Sequence, residues 1–126
     1  MERKATVERK TKETDVKLRL DLDGRGISEI RTGIPFMDHM LTLTAAHGFM
    51  DIDLSATGDT AVDDHHTVED LGICFGKAVR QALGNARGIR RYGRSVVPMD
   101  EALARVVIDI SNRPLLAYRV SLRISK

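Results

Sequence analysis

The first third of the chain alternates apolar and charged side chains. In the segment 16–23 (VKLRLDLD) every second residue is apolar. Because successive side chains of a β-strand point to opposite faces, this period of two predicts a strand with one buried face. The following DGRG supplies a turn, and a returning strand is predicted over 27–32. The β-branched pair Thr6 and Val7 indicates an earlier strand, so the chain is predicted to open with a three-stranded meander.

Helical spacing replaces the alternation in the next segment. Apolar residues recur at intervals of three and four over 36–44. Pro35 suits the first helical turn, and Gly48 suits the end of the helix. A further strand is predicted over 50–55, followed by a polar loop over 56–64.

A second helix is predicted after this loop, with an aspartate as its N-cap and Gly84-Asn85 at its end. Its apolar residues repeat at three and four positions, which is typical of a helix with one buried face. The predicted buried stripe consists of Val68, Leu71, Gly72, Phe75, Ala78, Val79 and Ala82.

Strand signals return after the second helix, and they repeat the opening. Alternation predicts strands over 104–110 and 116–124, and an offset of 88 positions aligns LDLDGRG (20–26) with IDISNRP (108–114). We therefore predict one α+β two-layer domain over 1–126, built as a tandem repeat of a strand-strand-strand-helix-strand-helix unit. The first repeat covers 1–85. The region 86–126 holds three strands of a second repeat that lacks its helices. Their apolar face would be exposed, so either a partner covers this face or the chain has lost its C-terminus, and we expect truncation.

Composition and charge restrict the possible partners. Apolar residues make up 42% and charged residues 30% of the chain, as in folded globular proteins. Twenty basic residues are balanced by 18 acidic ones, and a net charge of +2 demands no nucleic acid or membrane partner. The polar N-terminus lacks the apolar core of a signal peptide, so a cytoplasmic location is expected. Cys74, the only cysteine, lies among apolar residues and is predicted to be a buried structural thiol.

Candidate chemistry is concentrated in Val62–Asp70, which contains His65, His66 and Glu69 at the start of the second helix. Adjacent helical residues diverge by about 100°, so His65 and His66 cannot readily bind one ion, whereas His65 and Glu69 at i and i+4 share a face. Two separate metal ions are therefore indicated. His39, in the first turn of the other helix, is the natural co-ligand of His66 if both helices begin at the same edge of the sheet.

The donor types restrict the ion, and a simpler interpretation remains open. Imidazole and carboxylate without thiolate suit Mn, Fe(II), Zn or Co. Alternatively, these residues are surface side chains whose acids complement a helix N-terminus. His47, near a helix C-terminus, is expected on its position alone to complement the helix dipole.

A basic stretch, RGIRRYGR (87–94), offers a second kind of chemistry. It is either a solvated charge run or a binding site for a small anion such as phosphate, because the planar guanidinium binds oxyanions bidentately. Arg113 could join it from the turn at SNRP. RNA is a weaker alternative, because the chain has few aromatic residues for base stacking.

Five segments of the sequence occur in the order and spacing of one enzyme family: RKATVERKTKET, TGIPFMDHML, DDHHTVED, GIRRYGRSVVPMDEAL and ISNRPLL. Over its whole length the chain resembles imidazoleglycerol-phosphate dehydratase. The resemblance implies two fused copies of a unit similar to the second domain of ribosomal protein S5, self-association into a shell of 24 subunits, and two Mn ions per complete site. It also implies a hydro-lyase of histidine biosynthesis, which dehydrates imidazoleglycerol phosphate, a small phosphorylated imidazole, to imidazoleacetol phosphate.

The resemblance also assigns residues. It implies that His65 and Glu69 bind one Mn and that His39 and His66 bind the other. Glu13 and Glu69 are the implied catalytic residues, with Glu13 near the reacting carbon as a candidate acid or base. The implied substrate contacts are Glu13, His39, His47, His65, Glu69, Arg91 and Arg113, with the two arginines at the phosphate.

Three functional hypotheses follow. The first is a Mn-dependent dehydratase, in which the metal supplies the electron sink that the reaction requires. The second is a catalytically incomplete fold or assembly unit, because the family continues beyond Lys126 with a second His-His-x-x-Glu helix and a further ligand histidine. The third, an RNA-binding domain of the ribosomal S5 type, rests on fold analogy and does not explain the histidines.

Overall fold

A computed structural model describes residues 2–122 of the chain. The chain divides into two compact units, Met1–Arg87 and Gly88–Lys126. The boundary predicted from the repeat, after residue 85, lies two residues before this division.

The first unit has the predicted order of strands and helices. Its elements are β1 (Lys4–Lys10), β2 (Thr14–Asp21), β3 (Ser28–Arg31), α1 (Pro35–Gly48), β4 (Asp51–Gly58) and α2 (His65–Leu83).

The four strands form one sheet, but its first three strands are not a meander. The order across the sheet is β1-β2-β4-β3, with β3 pairing in parallel with β4 and the other neighbours antiparallel. The prediction of a meander was wrong because alternation reports which face of a strand is buried and says nothing about its pairing partner. The fully buried Ile52 and Leu54 of β4 favour the central position that this strand occupies.

Both helices cover one face of the sheet, which gives the predicted two-layer α+β architecture. The core combines Val16, Leu18 and Leu20 of β2 with residues of α1 and α2, whereas Lys17 and Arg19 point to the opposite, exposed face. The period of two in the sequence therefore separates the core from the solvent as predicted.

The buried face of α2 differs from the predicted stripe. Leu71, Ala78 and Ala82 are buried as predicted, but Val68 and Val79 are 39% and 37% exposed. The remaining buried positions are Thr67, Asp70 and Cys74. The buried face of α2 is rotated relative to the predicted one because two polar residues, Thr67 and Asp70, lie in the interface with the sheet. Asp70 forms hydrogen bonds to the sheet there. Cys74 is fully buried, which confirms its predicted structural position.

The other helix, α1, buries only Ala45 completely, and Phe36 on its outer side is 73% exposed. Pro35 begins it as predicted, but Gly48 is its last helical residue, and the left-handed conformation at its end belongs to Phe49 (φ 54°). Among residues 2–122, no helix is long and apolar enough to cross a membrane.

The second unit repeats the first hairpin in detail. Its strands are β5 (Tyr92–Met99) and β6 (Ala102–Asp109). The pair Tyr92↔Asp109 corresponds at the offset of 88 to Lys4↔Asp21 in β1 and β2. The backbone bond from Ile110 N–H to the Arg91 carbonyl, 3.0 Å, likewise repeats a bond of 3.0 Å between residues 22 and 3.

The strand predicted over 116–124 is absent from its described part, since no strand follows Asp109 up to residue 122. Its last predicted apolar residue, Ile124, lies outside the described residues. In the first unit the corresponding strand is β3, which pairs only with β4. Between residues 88 and 122 no counterpart of β4 is present, so this segment has no strand with which to form ladder hydrogen bonds.

Candidate active site

Three connections of the first unit meet at one edge of its sheet. Because β3 and β4 are parallel neighbours, α1 and α2, which follow them, begin at the same edge. The turn between β1 and β2 lies there too, since Thr14 pairs with Gly58 at the end of β4. This edge therefore contains Glu13 of the turn, His39 of α1 and the two histidines of α2. This geometry satisfies the condition for His39 and His66 to share an ion, although that ligation itself remains a prediction.

The first turn of α2 is held by an aspartate before it. The Asp63 carboxylate accepts a hydrogen bond of 2.8 Å from the His65 backbone N–H. Asp64 occupies the N-cap position, but its side chain makes no capping bond. The predicted capping aspartate is therefore present, with the side-chain contact supplied by Asp63 one residue earlier.

The two adjacent histidines of α2 have different partners. His65 Nε2 lies 2.9 Å from Glu69 Oε2, one helical turn away. The rings of His65 and His66 are 5.6 Å apart and nearly perpendicular, at 79°. Both imidazoles are exposed, as is Glu69. The helix turns the two imidazoles to different sides. That they bind two separate ions remains a prediction.

His66 is held by an aspartate that sequence reasoning missed. Its Nδ1 lies 2.8 Å from Asp59 Oδ2, whereas Asp59 Oδ1 is buried and has no hydrogen-bond partner among residues 2–122. The hydrogen bond to Asp59 raises the pKa of His66, and the charges of Asp59, Glu13 and Asp63 add to this effect. Asp59 lies seven residues before His66 in a polar loop, so no helical or strand periodicity links the two. Its place directly after β4 is the only sequence signal.

A buried carboxylate fixes the turn that carries Glu13. The Thr11 hydroxyl accepts hydrogen bonds from the backbone N–H groups of Glu13 and Thr14, at 3.1 and 3.0 Å. The Thr14 hydroxyl donates to Asp70, to which Arg9 Nε also donates at 2.9 Å. The bond from Thr14, and then that from Arg9 with its charge, hold the pKa of Asp70 below its ordinary value. Through these bonds Asp70 of α2 holds the turn that carries Glu13 in place.

The end of β4 touches α2 directly, and this approach requires a glycine. A Cβ atom on Gly58 would lie 2.0 Å from Thr67 Oγ1. Thr67 is fully buried, so it has little room to move away. Gly58 therefore lets α2 begin directly beside the strand end that leads into Asp59.

The α1 residues of the proposed site are exposed and lie far apart along the helix. The Asp38 carboxylate accepts a bond of 2.9 Å from the Thr32 N–H and another from its hydroxyl, which fixes the turn before His39. His47 is eight residues further on, or about 12 Å along a helix axis. Within the described chain α1 and α2 do not pack against each other, and His66 has its hydrogen bond with Asp59 rather than with His39.

One of the two predicted phosphate-binding arginines, Arg91, is paired with a carboxylate of the second unit. Arg91 donates to Asp109 through Nε at 2.7 Å and Nη2 at 3.2 Å, and its guanidinium lies 5.1 Å from the Tyr92 ring centre. The bond from Arg91, and the charges of Arg91 and Arg113, lower the pKa of Asp109. Asp109 thus occupies the fork of Arg91, and the charge of Arg113 also acts on this carboxylate.

The side chains at this site are of the types that bind divalent cations, but those that the structure describes do not form a complete metal site. In residues 2–122 no group of three or more histidine, cysteine, aspartate or glutamate side chains is arranged to hold a metal ion. The pair His65–Glu69 nevertheless combines imidazole with carboxylate, and His66 adds a second imidazole, whose Nδ1 faces Asp59. These donors fit Mn or a similar ion, with further ligands required to complete its coordination.

Comparison with known proteins identifies the family. The family model described as Imidazoleglycerol-phosphate dehydratase matches residues 32–126, which is most of the chain. The chain belongs to the imidazoleglycerol-phosphate dehydratase family. Curated dehydratases of this name from Alkalilimnicola ehrlichii and Geobacter sulfurreducens are 61% and 58% identical to it. The alignments cover 95% and 97% of this chain, and 61% and 63% of those relatives.

Solved structures of dehydratases agree with this assignment. The enzyme from Staphylococcus aureus has a TM-score of 0.77 at 36% identity, covering 98% of this chain and 67% of that one. The enzyme from Pyrococcus furiosus, solved in complex with (S)-C348, has a TM-score of 0.78 at 37% identity, covering 95% of this chain and 63% of that one. The chain thus spans about three fifths of the length of the curated relatives it matches.

Proposed function

We propose that this chain carries metal-binding and acid–base residues of a Mn-dependent dehydratase that converts imidazoleglycerol phosphate to imidazoleacetol phosphate in histidine biosynthesis. The observation that carries the proposal is the collection of Glu13, His39, His65, His66 and Glu69 at one edge of the sheet in a member of this family. Self-association into a shell and a cytoplasmic location form part of the proposal.

The residues of the first unit take distinct roles. His65 and Glu69 hold one ion, and His66 with His39 holds the other. Bound manganese supplies Lewis acidity that stabilises negative charge on the substrate's imidazole ring. Glu13 moves a proton at the reacting carbon, because its carboxylate is exposed at the site and its turn is held by Thr11.

Phosphate binding belongs to the second unit in this proposal. Arg91 already presents two N–H groups in parallel to a carboxylate, which is the arrangement that also fits a phosphate. A bound phosphate would therefore take the place of Asp109 at the Arg91 fork, with Arg113 adding its charge. Glu69, His47 and His39 complete the proposed substrate contacts.

A catalytically incomplete fold or assembly unit is the second candidate. It is favoured by the ligand set, because residues 2–122 contain no group of three donors around one ion. The exposed apolar side chains of β5 and β6, such as Val97 (59%) and Val107 (72%), also suit a surface that packs against protein.

A turnover assay separates the two candidates. The purified chain is stripped with a chelator and supplied with imidazoleglycerol phosphate, with and without Mn²⁺, and formation of the carbonyl product is followed. The dehydratase proposal predicts product only with Mn²⁺. Mn²⁺ binding without product contradicts it and supports the incomplete unit, whereas a chain that neither binds Mn²⁺ nor turns over contradicts the metal roles as well.

A further inference from the structure

The loop between β4 and α2 carries a carboxylate to which the proposed roles give no task. Asp59 follows Gly58, and its backbone carbonyl accepts a hydrogen bond of 2.8 Å from the Val62 N–H, which closes a turn. Its side chain is only 26% exposed. The carboxylate is therefore held in place at the strand end rather than free in solvent.

Asp59 contacts one particular nitrogen of His66. Its Oδ2 lies 2.8 Å from Nδ1, and because an ionised carboxylate can only accept, Nδ1 must carry the proton. In a neutral imidazole the lone pair is then on Nε2. His65 differs, since its Nε2 already faces Glu69. Only His66, of the two, has a carboxylate on the Nδ1 side of its ring.

We propose that Asp59 is the positioning residue of His66, which fixes the imidazole tautomer and ring orientation so that Nε2 is the nitrogen presented to the metal. A histidine ligand whose second nitrogen donates to a carboxylate is a more basic ligand in a fixed orientation. The inference rests on the proposed metal-binding function. It adds that His66 binds through one defined atom and that a residue outside the histidine cluster determines which atom this is.

The buried Asp59 Oδ1 strengthens the inference. A carboxylate serving only as a surface acid would turn both oxygens to water, whereas this one has an oxygen that is buried and without a partner in the described chain. Burying an unpaired acceptor costs free energy, so its orientation must be maintained by its surroundings, here the turn at Val62 and the contact with His66. The carboxylate is thereby fixed with Oδ2 towards the ring.

The test compares Asp59→Ala and Asp59→Asn with wild type in the whole chain, using Mn²⁺ alone as the probe. Asp59→Ala is expected to weaken Mn²⁺ binding at the His66 site by about 10–100-fold. Asp59→Asn should recover part of this loss, because the amide oxygen can still accept from Nδ1. Asp53→Asn, an exposed change on β4, is the matched control and should bind Mn²⁺ like wild type.

A second readout does not depend on metal. In ¹⁵N-histidine-labelled protein at alkaline pH, with the signals of His66 assigned through His66→Gln, the nitrogen shifts should report Nδ1–H in wild type and a shift towards Nε2–H in Asp59→Ala. An Nε2–H tautomer in wild type, or unchanged Mn²⁺ affinity in a folded Asp59→Ala chain, overturns the inference. A wild-type chain that binds no Mn²⁺ instead contradicts the proposed function, and the tautomer then decides the role of Asp59.

Discussion

Replacing Glu13 with glutamine is expected to lower dehydratase turnover by about 10²–10⁴-fold, which is the usual contribution of a positioned general acid or base. The fold should be unaffected, because Glu13 is exposed and the turn depends on its backbone N–H, which the variant keeps. Mn²⁺ content should be unchanged, since Glu13 is assigned no metal. The measurement is kcat with Mn²⁺ at saturation, together with the metal content of the same sample.

Glu8→Gln is the matched control for this variant. Glu8 is an exposed glutamate of β1 in the same hairpin, and its replacement should leave kcat within a factor of two of wild type, because an exposed substitution away from the site changes little. A Glu13→Gln protein of near-normal rate would reject the acid–base role. A loss of Mn²⁺ from it would show that Glu13 acts instead through the metal.

Replacing Asp70 with alanine is expected to lower the free energy of unfolding by about 2–4 kcal/mol, because two donors lose their acceptor: Thr14 in a buried contact and Arg9 in a partly buried one. Urea unfolding followed by circular dichroism measures the change. Glu29→Gln breaks an ion pair with Arg31 in which both side chains are exposed, and it should cost under about 0.5 kcal/mol. Equal losses in both variants would contradict the structural role of Asp70.

The Asp70 carboxylate also makes the stability of the folded chain depend on pH in the acid range. The pKa of Asp70 is lower in the folded chain than its ordinary value of 3.8. Its stabilisation is therefore present above the unfolded pKa and is lost as the pH falls through the lower folded pKa. The stability difference between wild type and Asp70→Ala should be constant from neutral pH to about pH 5 and shrink below about pH 4. A difference that does not change with pH would contradict this.

Local periodicity was sufficient to predict some elements and not others. The alternation over 16–23 predicted β2 and that over 104–110 predicted β6, because each pattern lies within a single strand. The hairpin that β6 forms with β5 was not located from the sequence. Pairing between distant strands has no such local signal. The insertion of β4 between β2 and β3, and the lack of a strand at 116–122, depend on which partner strand is available.

In the candidate site, too, local periodicity predicted contacts within one helix but not contacts with residues from other elements. His65 and Glu69 could be paired from the sequence, because the helix repeat alone places them on one face. Asp59 could not, since a loop of irregular backbone brings it to His66. Asp70 was likewise missed, because its role depends on Arg9 and Thr14 from two strands far away in the sequence.

Titration of the chain with Mn²⁺, with the free ion followed by electron paramagnetic resonance, tests the central claim that the start of α2 serves two separate ions. His65→Ala and His66→Ala are each expected to abolish one class of Mn²⁺ site and retain the other. His47→Ala, a histidine about 12 Å along α1 from His39, should retain both. If wild type binds no Mn²⁺, or if both α2 variants bind it as wild type does, the two-ion account is wrong.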